Sequence, residues 1–274
     1  MSVMIDQSIA TTFGTNLRRA IGGAGRLLGV GLVVASAGVW QLAATYEVIS
    51  PAVFPPITTI LSRWWELMVS GVLVNELLPS LYRMAAGYVI AVIIGVTVGA
   101  AMGYFRVVFN VLDPAVELLR PIPSPAYIPL VIMILGIEDG MKVFMIAIAC
   151  IFPIIVNTMA GISGVHPLLV ETGKTFGLGR LRILLSVALP AAAPSIFAGL
   201  RISLAVGLMV VVISEMVAAN DGIGNFILFA QRTFRATDMY AGILTLGIVG
   251  YLLNECFVAV RRRALRWHER DFVT

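Results

Sequence analysis

Residues 171–179, ETGKTFGLG, contain the sequence GKT with which a phosphate-binding loop ends. Such a loop requires the spacing G-x-x-x-x-G-K-[ST], so that backbone N–H groups can surround the phosphates. Leu168 stands where the first glycine would be, and the preceding run GISGVHPLL provides no buried strand from which the loop could start. The spacing therefore argues against a nucleotide site, and this charged, glycine-containing stretch between two apolar segments needs another explanation.

Other residues that could carry chemistry are scarce. The two histidines, His166 and His268, do not make a convincing metal site, and the patterns H-E-x-x-H, G-x-S-x-G and C-x-x-C do not occur. Cys150 and Cys256 each lie in an apolar run, which predicts buried small side chains rather than a disulfide. The sequence gives no positive sign of an enzyme, and we expect no cofactor or metal in the chain.

The composition indicates a membrane protein. The chain has 274 residues, of which 59% are hydrophobic and 12% are charged, and its mean hydropathy is +0.96. Soluble proteins carry about 25% charged residues. We therefore predict an all-α fold, a polytopic bundle of about six transmembrane helices forming one domain in the lipid bilayer.

Five segments are apolar and long enough to cross a bilayer, which takes roughly 20 helical residues. They are Leu27–Thr45, Leu81–Gly103, Val143–Gly161, Pro194–Met216 and Met239–Val260. A sixth segment, Val107–Ile137, contains prolines that should bend or break its helix, namely Pro114, Pro121, Pro123, Pro125 and Pro129. Irregular backbone is tolerated at membrane depth only against protein or a water-filled cavity. We expect a broken helix that faces the interior, along a permeation path.

Basic residues are distributed unevenly between the two sides that six spans define. Twelve fall on the side of the termini: Arg18, Arg19, Arg26, Arg106, Lys174, Arg180, Arg182, Arg261, Arg262, Arg263, Arg266 and Arg270. Five fall on the other side: Arg63, Arg83, Lys142, Arg232 and Arg235. The positive-inside rule then places both termini in the cytoplasm, and topology explains the basic balance without nucleic acid.

These patterns predict a cytoplasmic segment at 1–26, a membrane domain at 27–262 with a cytoplasmic loop at about 162–190, and a basic cytoplasmic tail at 263–274. A cleaved signal sequence ending at Ala35–Ala37 is the less favoured alternative for the first span. The apolar run continues through Leu42, and cleavage would leave an odd number of spans.

Two further patterns concern packing. Apolar residues after Pro56 share one helical face, which predicts an amphipathic helix in the outer interface plane: Ile57, Ile60, Leu61, Trp64 and Met68. Gly95, Gly99 and Gly103 form a ridge of small residues that lets another helix approach closely. Such a ridge can serve a dimer or the chain's own bundle, and packing within the bundle is favoured.

Residues 166–190 form the element that contains GKT. Pro167 suits the first position of a short helix. Glu171 is expected early in this helix, where a carboxylate favours the positive end of the dipole. Gly177 and Gly179 should end the helix. The result is a short helix outside the membrane, with small side chains available for close contact, as in an element that docks into another protein.

This stretch resembles the EAA loop of ABC-importer permeases, E-A-A-x-x-x-G followed further along by L-P. Here it reads Glu171-Thr172-Gly173, then Gly177, with Leu189-Pro190 after it. Thr172 and Gly173 replace the two alanines. Both are small, although Gly173 should weaken the helix by up to about 1 kcal/mol relative to alanine.

Three other stretches resemble the nitrate/sulfonate/taurine/bicarbonate branch of these permeases. They are RPIPSPAYIPL at Arg120–Leu130, FPIIVNTMAG at Phe152–Gly161 and GLRISL at Gly199–Leu204. The likeness extends from about Phe54 to Ala264 in consistent order.

The resemblance implies a multi-pass permease subunit of the bacterial inner membrane that lacks ATPase activity. A separate ATPase would bind ATP and Mg and would dock on the coupling residues Glu171, Thr172, Gly173, Phe176, Gly177, Leu189 and Pro190. A second permease copy would complete the path, and an external solute-binding protein would deliver the cargo. Cargoes of the branch are small oxyanions such as nitrate, sulfonates or bicarbonate, together with organic acids and pyrimidine-type cofactor precursors.

Charged groups inside spans are candidates for substrate contact. The candidates along the path are Arg120, Pro123, Ser124, Tyr127, Arg201 and Glu215, and Glu117 and Glu255 are further intramembrane charges. Glu117 and Arg120 can instead pair along a helix. The resemblance covers Arg120 and Arg201 in relatives with differing cargo, which favours structural roles for both.

A secondary transporter coupled to protons or sodium is the rival interpretation, because Glu215 is an intramembrane carboxylate. Such transporters typically show internal repeats, which we do not find, and they need no docking helix. A membrane enzyme would need a cluster of nucleophiles, bases or metal ligands that the sequence lacks.

Overall fold

The computed structural model describes residues 29, 31–48, 50 and 52–266. All regular elements in these residues are helices: α1 (Gly31–Thr45), α2 (Ile57–Val69), α3 (Val72–Tyr104), α4 (Arg106–Leu119), α5 (Ile128–Leu135), α6 (Asp139–Ser163), α7 (Pro167–Thr175), α8 (Arg180–Ile183), α9 (Leu189–Ala218), α10 (Ile223–Arg232) and α11 (Ala236–Ala264). The all-α prediction is confirmed. The predicted segment 1–26 and residues 267–274 of the tail lie outside the described residues.

Four helical stretches are long and apolar enough to cross a membrane: α3, α6, the continuous stretch Arg180–Ala218 and α11. A fifth crossing results if α4 and the following Ser124–Leu135 count as one bent span. The described part of α1 is apolar but shorter than these helices. Helices therefore occur where spans were predicted, and the count of six stays a prediction.

The sixth predicted segment is broken, as expected. α4 and the stretch Ser124–Leu135 are inclined to each other by 86°. Pro121 and Pro123 lie at the break, where the loss of backbone donors and the clash with the preceding turn account for the interruption. Pro114 was expected to help break the helix, but it lies within α4, which continues to Leu119.

α6 is the central helix of the bundle and packs between α3 and α9. Its side chains Met141, Met145, Ile146, Cys150 and Ile154 are fully buried. Cys150 is thus buried as predicted, whereas Cys256 is exposed on α11, so the prediction of burial is wrong for Cys256.

The glycine ridge of α3 is the seam against α6. A Cβ added at Gly95 would lie 2.8 Å from the Cβ of Ile154, and one added at Gly99 would lie 2.7 Å from the carbonyl oxygen of Ile155. Real Cβ atoms do not approach so closely, so each glycine is needed for the two backbones to meet. The expectation that the ridge serves internal packing is confirmed.

The helix termini gather at two ends of the bundle. At the end that carries α7, which we call the loop end, the Ser163 hydroxyl donates to the Gly103 carbonyl at 3.2 Å. At the opposite end, which we call the far end, the Gly222 N–H donates to Glu76 at 2.8 Å. α3, α6, α9 and α11 each run from one end to the other.

α2 forms at the far end as an amphipathic helix, as predicted, but its apolar face does not lie entirely against lipid. The Trp64 indole N–H donates to the Thr245 hydroxyl of α11 at 3.0 Å. Trp64 also packs in a cluster with Leu67 and Ile223. Part of the face is therefore a contact within the protein, because α10 and α11 offer it an apolar surface.

Candidate functional site

The break between α4 and α5 borders a cavity of about 420 Å³. α6 and α9 form the opposite walls. The lining side chains are Arg120, Pro121, Ile122, Pro123, Ser124, Tyr127, Ile148, Ala149, Phe152, Pro153, Val156, Asn157, Ile202 and Val206. Four predicted path residues, Arg120, Pro123, Ser124 and Tyr127, therefore share one cavity, because the proline break turns this segment back towards α6.

The cavity at Arg120 has the chemistry of a weak anion site. In the described part of the chain, its lining contains one cation, two hydroxyls and one amide, and no carboxylate. Arg120 is exposed and makes no ion pair with another described residue, Glu117 included. An unneutralised guanidinium offers five N–H donors suited to an oxyanion.

Asn157 and Phe152 are among the lining residues of this cavity that the sequence did not indicate. Both lie in α6, within the quoted stretch FPIIVNTMAG. The Asn157 amide donates to the Pro153 carbonyl at 2.8 Å, which uses one of its donors and leaves its own oxygen without a partner in the described residues. A polar amide within an apolar, proline-containing helix was the signal that could have identified it.

Arg201 lies apart from the cavity at Arg120. Its guanidinium Nε donates to Asn254 Oδ1 of α11 at 3.2 Å, and both residues line a separate cavity of about 210 Å³. The residues that α9 contributes to the cavity at Arg120 are Ile202 and Val206. Arg201 and Arg120 are therefore not brought together.

Glu215 also lies apart from that cavity, in a buried ionic network at the far end. Its side chain is fully buried, and its Oε1 accepts from Arg83 Nη1 at 2.9 Å. Its Oε2 accepts from the Ser80 hydroxyl at 2.9 Å and from the Gly224 N–H at 3.0 Å. The carboxylate is thus satisfied by a cation and two further donors, which is the usual condition for a buried charge.

Arg83 was counted from the sequence among the basic residues on the side opposite the termini, and it lies at the far end as a buried residue of α3. The side chain is 2% exposed within α3. Besides Glu215 it donates through Nε to Asp139 Oδ1 at 2.7 Å and through Nη2 to Asp221 Oδ1 at 2.5 Å. The neighbouring residues of α3 are mostly apolar and offer this guanidinium no partner. Its burial is possible because three carboxylates from other parts of the chain surround it.

Gly222 fits the backbone of the α9–α10 turn against the ionic network. Its φ of +101° is strained for any residue with a Cβ, and a Cβ there would lie 2.5 Å from the carboxyl carbon of Glu215. This turn therefore requires glycine for both its backbone conformation and its close approach.

A second ionic cluster joins α2 to α11 at the far end. Arg63 Nε donates to Asp238 at 2.6 Å and Nη1 donates to Glu66 at 3.0 Å. These two hydrogen bonds, to Asp238 first, raise the pKa of Arg63 above its ordinary value. Arg235 also pairs with Asp238. Asp238 is buried, so this cluster fastens α2 to the start of α11.

The predicted short helix of the loop end is α7. Its first residue is Pro167, as predicted, and the Leu168 N–H donates to Nδ1 of His166 at 3.3 Å. The helix ends at Thr175, and Gly177 follows with a φ of +73°. The helix start and the glycine stop are confirmed. Glu171 was expected early in α7, but the first turn contains no acidic residue, so the dipole argument for Glu171 is wrong.

The coupling residues of α7 do not all lie on one surface. Gly173 is buried, and a Cβ there would lie 3.2 Å from Cγ1 of Ile183 in α8, so its small size serves packing within the loop. Glu171 and Thr172 are exposed, and Phe176 is 79% exposed. A large exposed aromatic side chain beside these polar residues forms a surface on which another protein could pack.

Leu189 and Pro190 lie at the start of α9, away from this exposed surface. The helical stretch widens into a π-turn at Leu184–Ala188 directly before them. Pro190 lacks the N–H that would bond to Ser186, and a widened turn accommodates that loss. Leu189 packs in a cluster with Ala188 and Ile162, so it supports the junction between the loop and the bundle.

Residues 87–266 match the family described as binding-protein-dependent transport system inner membrane component. The chain is 34% identical to the taurine transport system permease protein TauC of Escherichia coli, with 88% of this chain and 90% of that protein covered. It is 31% identical to the putative aliphatic sulfonates transport permease protein SsuC of Bacillus subtilis, covering 84% and 83%.

Two further similarities extend the comparison. The chain is 32% identical to the nitrate import permease protein NrtB of Leptolyngbya laminosa, with 82% of this chain and 83% of that protein covered. Among solved structures, it is similar to a chain of the MetNI methionine ABC transporter in an inward-facing conformation, with a TM-score of 0.61 and 21% identity. That match covers 70% of this chain and 95% of the other, and it indicates a shared fold.

Proposed function

The chain belongs to the family of binding-protein-dependent transport system inner membrane components, and from that premise we propose that it passes a small sulfonate or a similar oxyanion through the cavity at Arg120. It is a permease subunit of an ABC importer in the inner membrane. Taurine, aliphatic sulfonates and nitrate are named for its relatives, and all three carry an oxyanion group.

The observation that carries this proposal is the lining of the cavity. Arg120 supplies the one positive charge among the described lining residues, and none of these residues is acidic. Ser124, Tyr127 and Asn157 add groups that can donate to oxygen atoms, while Phe152 and the aliphatic side chains suit a short organic tail. A single cation attracts an anion without holding it too tightly, as transport requires.

Coupling to a separate ATPase through α7 is the second part of the proposal. The exposed side chains of Glu171, Thr172 and Phe176 form the docking surface, and Gly173 and Gly177 shape the helix that presents it. The ATPase holds ATP and Mg, and this chain contributes no nucleotide site. A second permease copy completes the path, and an external solute-binding protein delivers the cargo to the far end.

The orientation follows from charge. The loop end carries Arg106, Lys174, Arg180, Arg182 and the basic end of α11, and we assign this end to the cytoplasm. Both termini then lie on the cytoplasmic side if α1 crosses the membrane. The buried pairing of Glu215 with Arg83 removes the main support for a secondary transporter, because a coupling carboxylate must exchange its proton or ion.

Uptake into proteoliposomes tests the proposal. The permease is reconstituted with its ATPase and loaded binding protein, and radiolabelled taurine, ethanesulfonate and nitrate are compared with the cation choline. We expect ATP-dependent uptake of at least one anion and none of choline. Arg120→Gln should lower the rate about tenfold or more, as expected for loss of a charged contact worth about 1.5–3 kcal/mol.

Arg201→Gln is the matched control, because it removes the same charge from a residue that lies outside this cavity. Uptake by the control should stay near the wild-type rate. Equal loss in both variants, or choline uptake, would contradict an anion path at Arg120. ATP hydrolysis by the purified permease alone, abolished by Lys174→Ala, would contradict the assignment of ATP hydrolysis to a separate subunit.

A further inference from the structure

A second positively charged cavity lies at the loop end, between the α3–α4 junction and α7. Its volume is about 630 Å³. The cations Arg106, Lys174 and Arg180 line it, and no carboxylate of a described residue does. The remaining lining residues are Tyr104, Phe105, Val107, Val108 and Val170. None of the three cations makes an ion pair or a side-chain hydrogen bond with another residue in the described part of the chain.

The cavity lies at the C-terminal end of α3. α3 ends at Tyr104 and α4 begins at Arg106, so the cations sit beside the end of a membrane span. Val107, 76% exposed, continues the apolar surface next to them. The rings of Tyr104 and Phe105 meet edge to face at 5.0 Å and form a rigid wall. Positive charge directly above an exposed apolar surface is the arrangement that an anionic lipid fits.

α7 presents different faces to this cavity and to the docking surface. Val170 and Lys174 are four residues apart, so they share a helix face, and both line the cavity. Leu168 and Thr172 share a different face, since they are four residues apart and each is two residues from Val170. An ATPase on that second face therefore leaves the cavity face of α7 available.

We propose that the cavity binds the phosphate headgroup of an anionic lipid of the cytoplasmic leaflet, which ties the position of α7 to the end of α3. The headgroup phosphate accepts hydrogen bonds from Arg106, Lys174 and Arg180, and the acyl chains run along Val107 and Val108. The proposal rests on the cytoplasmic placement of the loop end, but it needs neither a transported solute nor ATP.

Lipid retention by the full-length protein is the test. The purified permease is titrated with phosphatidylglycerol in detergent, and the lipid-bound fraction is measured by native mass spectrometry beside a titration with phosphatidylcholine. We expect preferential retention of phosphatidylglycerol. The double variant Arg106→Gln/Lys174→Gln should weaken it by about 25-fold, at about fivefold for each cation near an anionic lipid.

The matched control is Arg182→Gln/Arg262→Gln, which removes two exposed cations at the same end that do not line the cavity. This control, and the charge-conserving Lys174→Arg, should retain the lipid as the wild type does. Equal weakening in the Arg182 control would show general electrostatic attraction and overturn a specific site.

Two competition arms identify the occupant. Release of the bound lipid by an excess of inorganic phosphate would show that the cavity takes a free phosphate, and release by the co-purifying ATPase would assign it to the protein interface. Either result overturns the lipid proposal. A wild-type protein without any preference for phosphatidylglycerol overturns it too, while the uptake assay at Arg120 remains an independent test of transport.

Discussion

Arg83 of α3 and Glu215 of α9 form a buried ion pair, 2.9 Å from Nη1 to Oε1, between positions 132 residues apart in the sequence. Through the same guanidinium the pair reaches Asp139 at the start of α6 and Asp221 in the α9–α10 turn. One cation therefore holds the far ends of three helices together, and its loss should affect stability more than transport chemistry.

Glu215→Ala should destabilise the permease strongly. Removing one partner of a buried ion pair costs about 3–5 kcal/mol, and the lower value is expected here because Asp139 and Asp221 still contact Arg83. Thermal unfolding of the purified protein in detergent measures the effect. Glu255→Ala, which removes an exposed carboxylate from α11, should leave the transition unchanged. Similar melting of the two variants would contradict a structural role for Glu215.

Gly99→Ala should separate α3 from α6. The added Cβ would lie 2.7 Å from the Ile155 carbonyl oxygen and 2.8 Å from the Cβ of Thr158, so the backbones must move apart. Overpacking of this kind costs about 1–3 kcal/mol. Gly247→Ala in α11 is the matched control, since nothing lies within 4 Å of its Cβ. Its melting temperature should be equal to or above that of the wild type, and a lower value for it than for Gly99→Ala would refute the assignment of the seam.

Gly177→Val should uncouple transport while the protein stays folded in the membrane. The φ of +73° suits glycine, and a β-branched residue there is a conformational outlier. We expect uptake and binding-protein-stimulated ATP hydrolysis both to fall about tenfold or more, because strain of about 1–2 kcal/mol would reshape the end of α7. Binding-protein-stimulated ATP hydrolysis is the measurement. Gly179→Ala, with φ of −65° and nothing within 4 Å, should be tolerated. If the binding protein still stimulates ATP hydrolysis fully in Gly177→Val, residues 171–179 have no coupling role.

Cysteine labelling checks the orientation. Cys256 is exposed and must first be replaced by serine, whereas Cys150 is buried. In that background, Asn220→Cys in the α9–α10 turn should react with an impermeant maleimide added outside the cell. Arg182→Cys at the loop end should react only in inverted vesicles. The reverse pattern would move the loop end outside and would remove the basis for both the coupling and the lipid proposals.

Several features of this protein follow from neighbouring residues, and the sequence alone predicted them. The long apolar helices, the break near Pro121 and Pro123, and the start of α7 at Pro167 depend on hydropathy, missing backbone donors and fixed dihedral angles. The glycine ridge at Gly95 and Gly99 likewise follows from a spacing of four residues, although its partner helix was not specified.

Other features depended on which distant residues meet, and local patterns contain no such information. Arg83 was one of five basic residues counted on one side of the membrane, and nothing near it in the sequence indicated that α9 brings Glu215 against it. Gly173 looked like a docking residue, but the fold of α8 places Ile183 over it. Arg201 and Arg120 looked equivalent, and the bend at the proline break turned only Arg120 towards the cavity. The role of a charged or small side chain depends on the residues that neutralise or cover it. In this protein the packing of α3, α6 and α9 determines which residues those are.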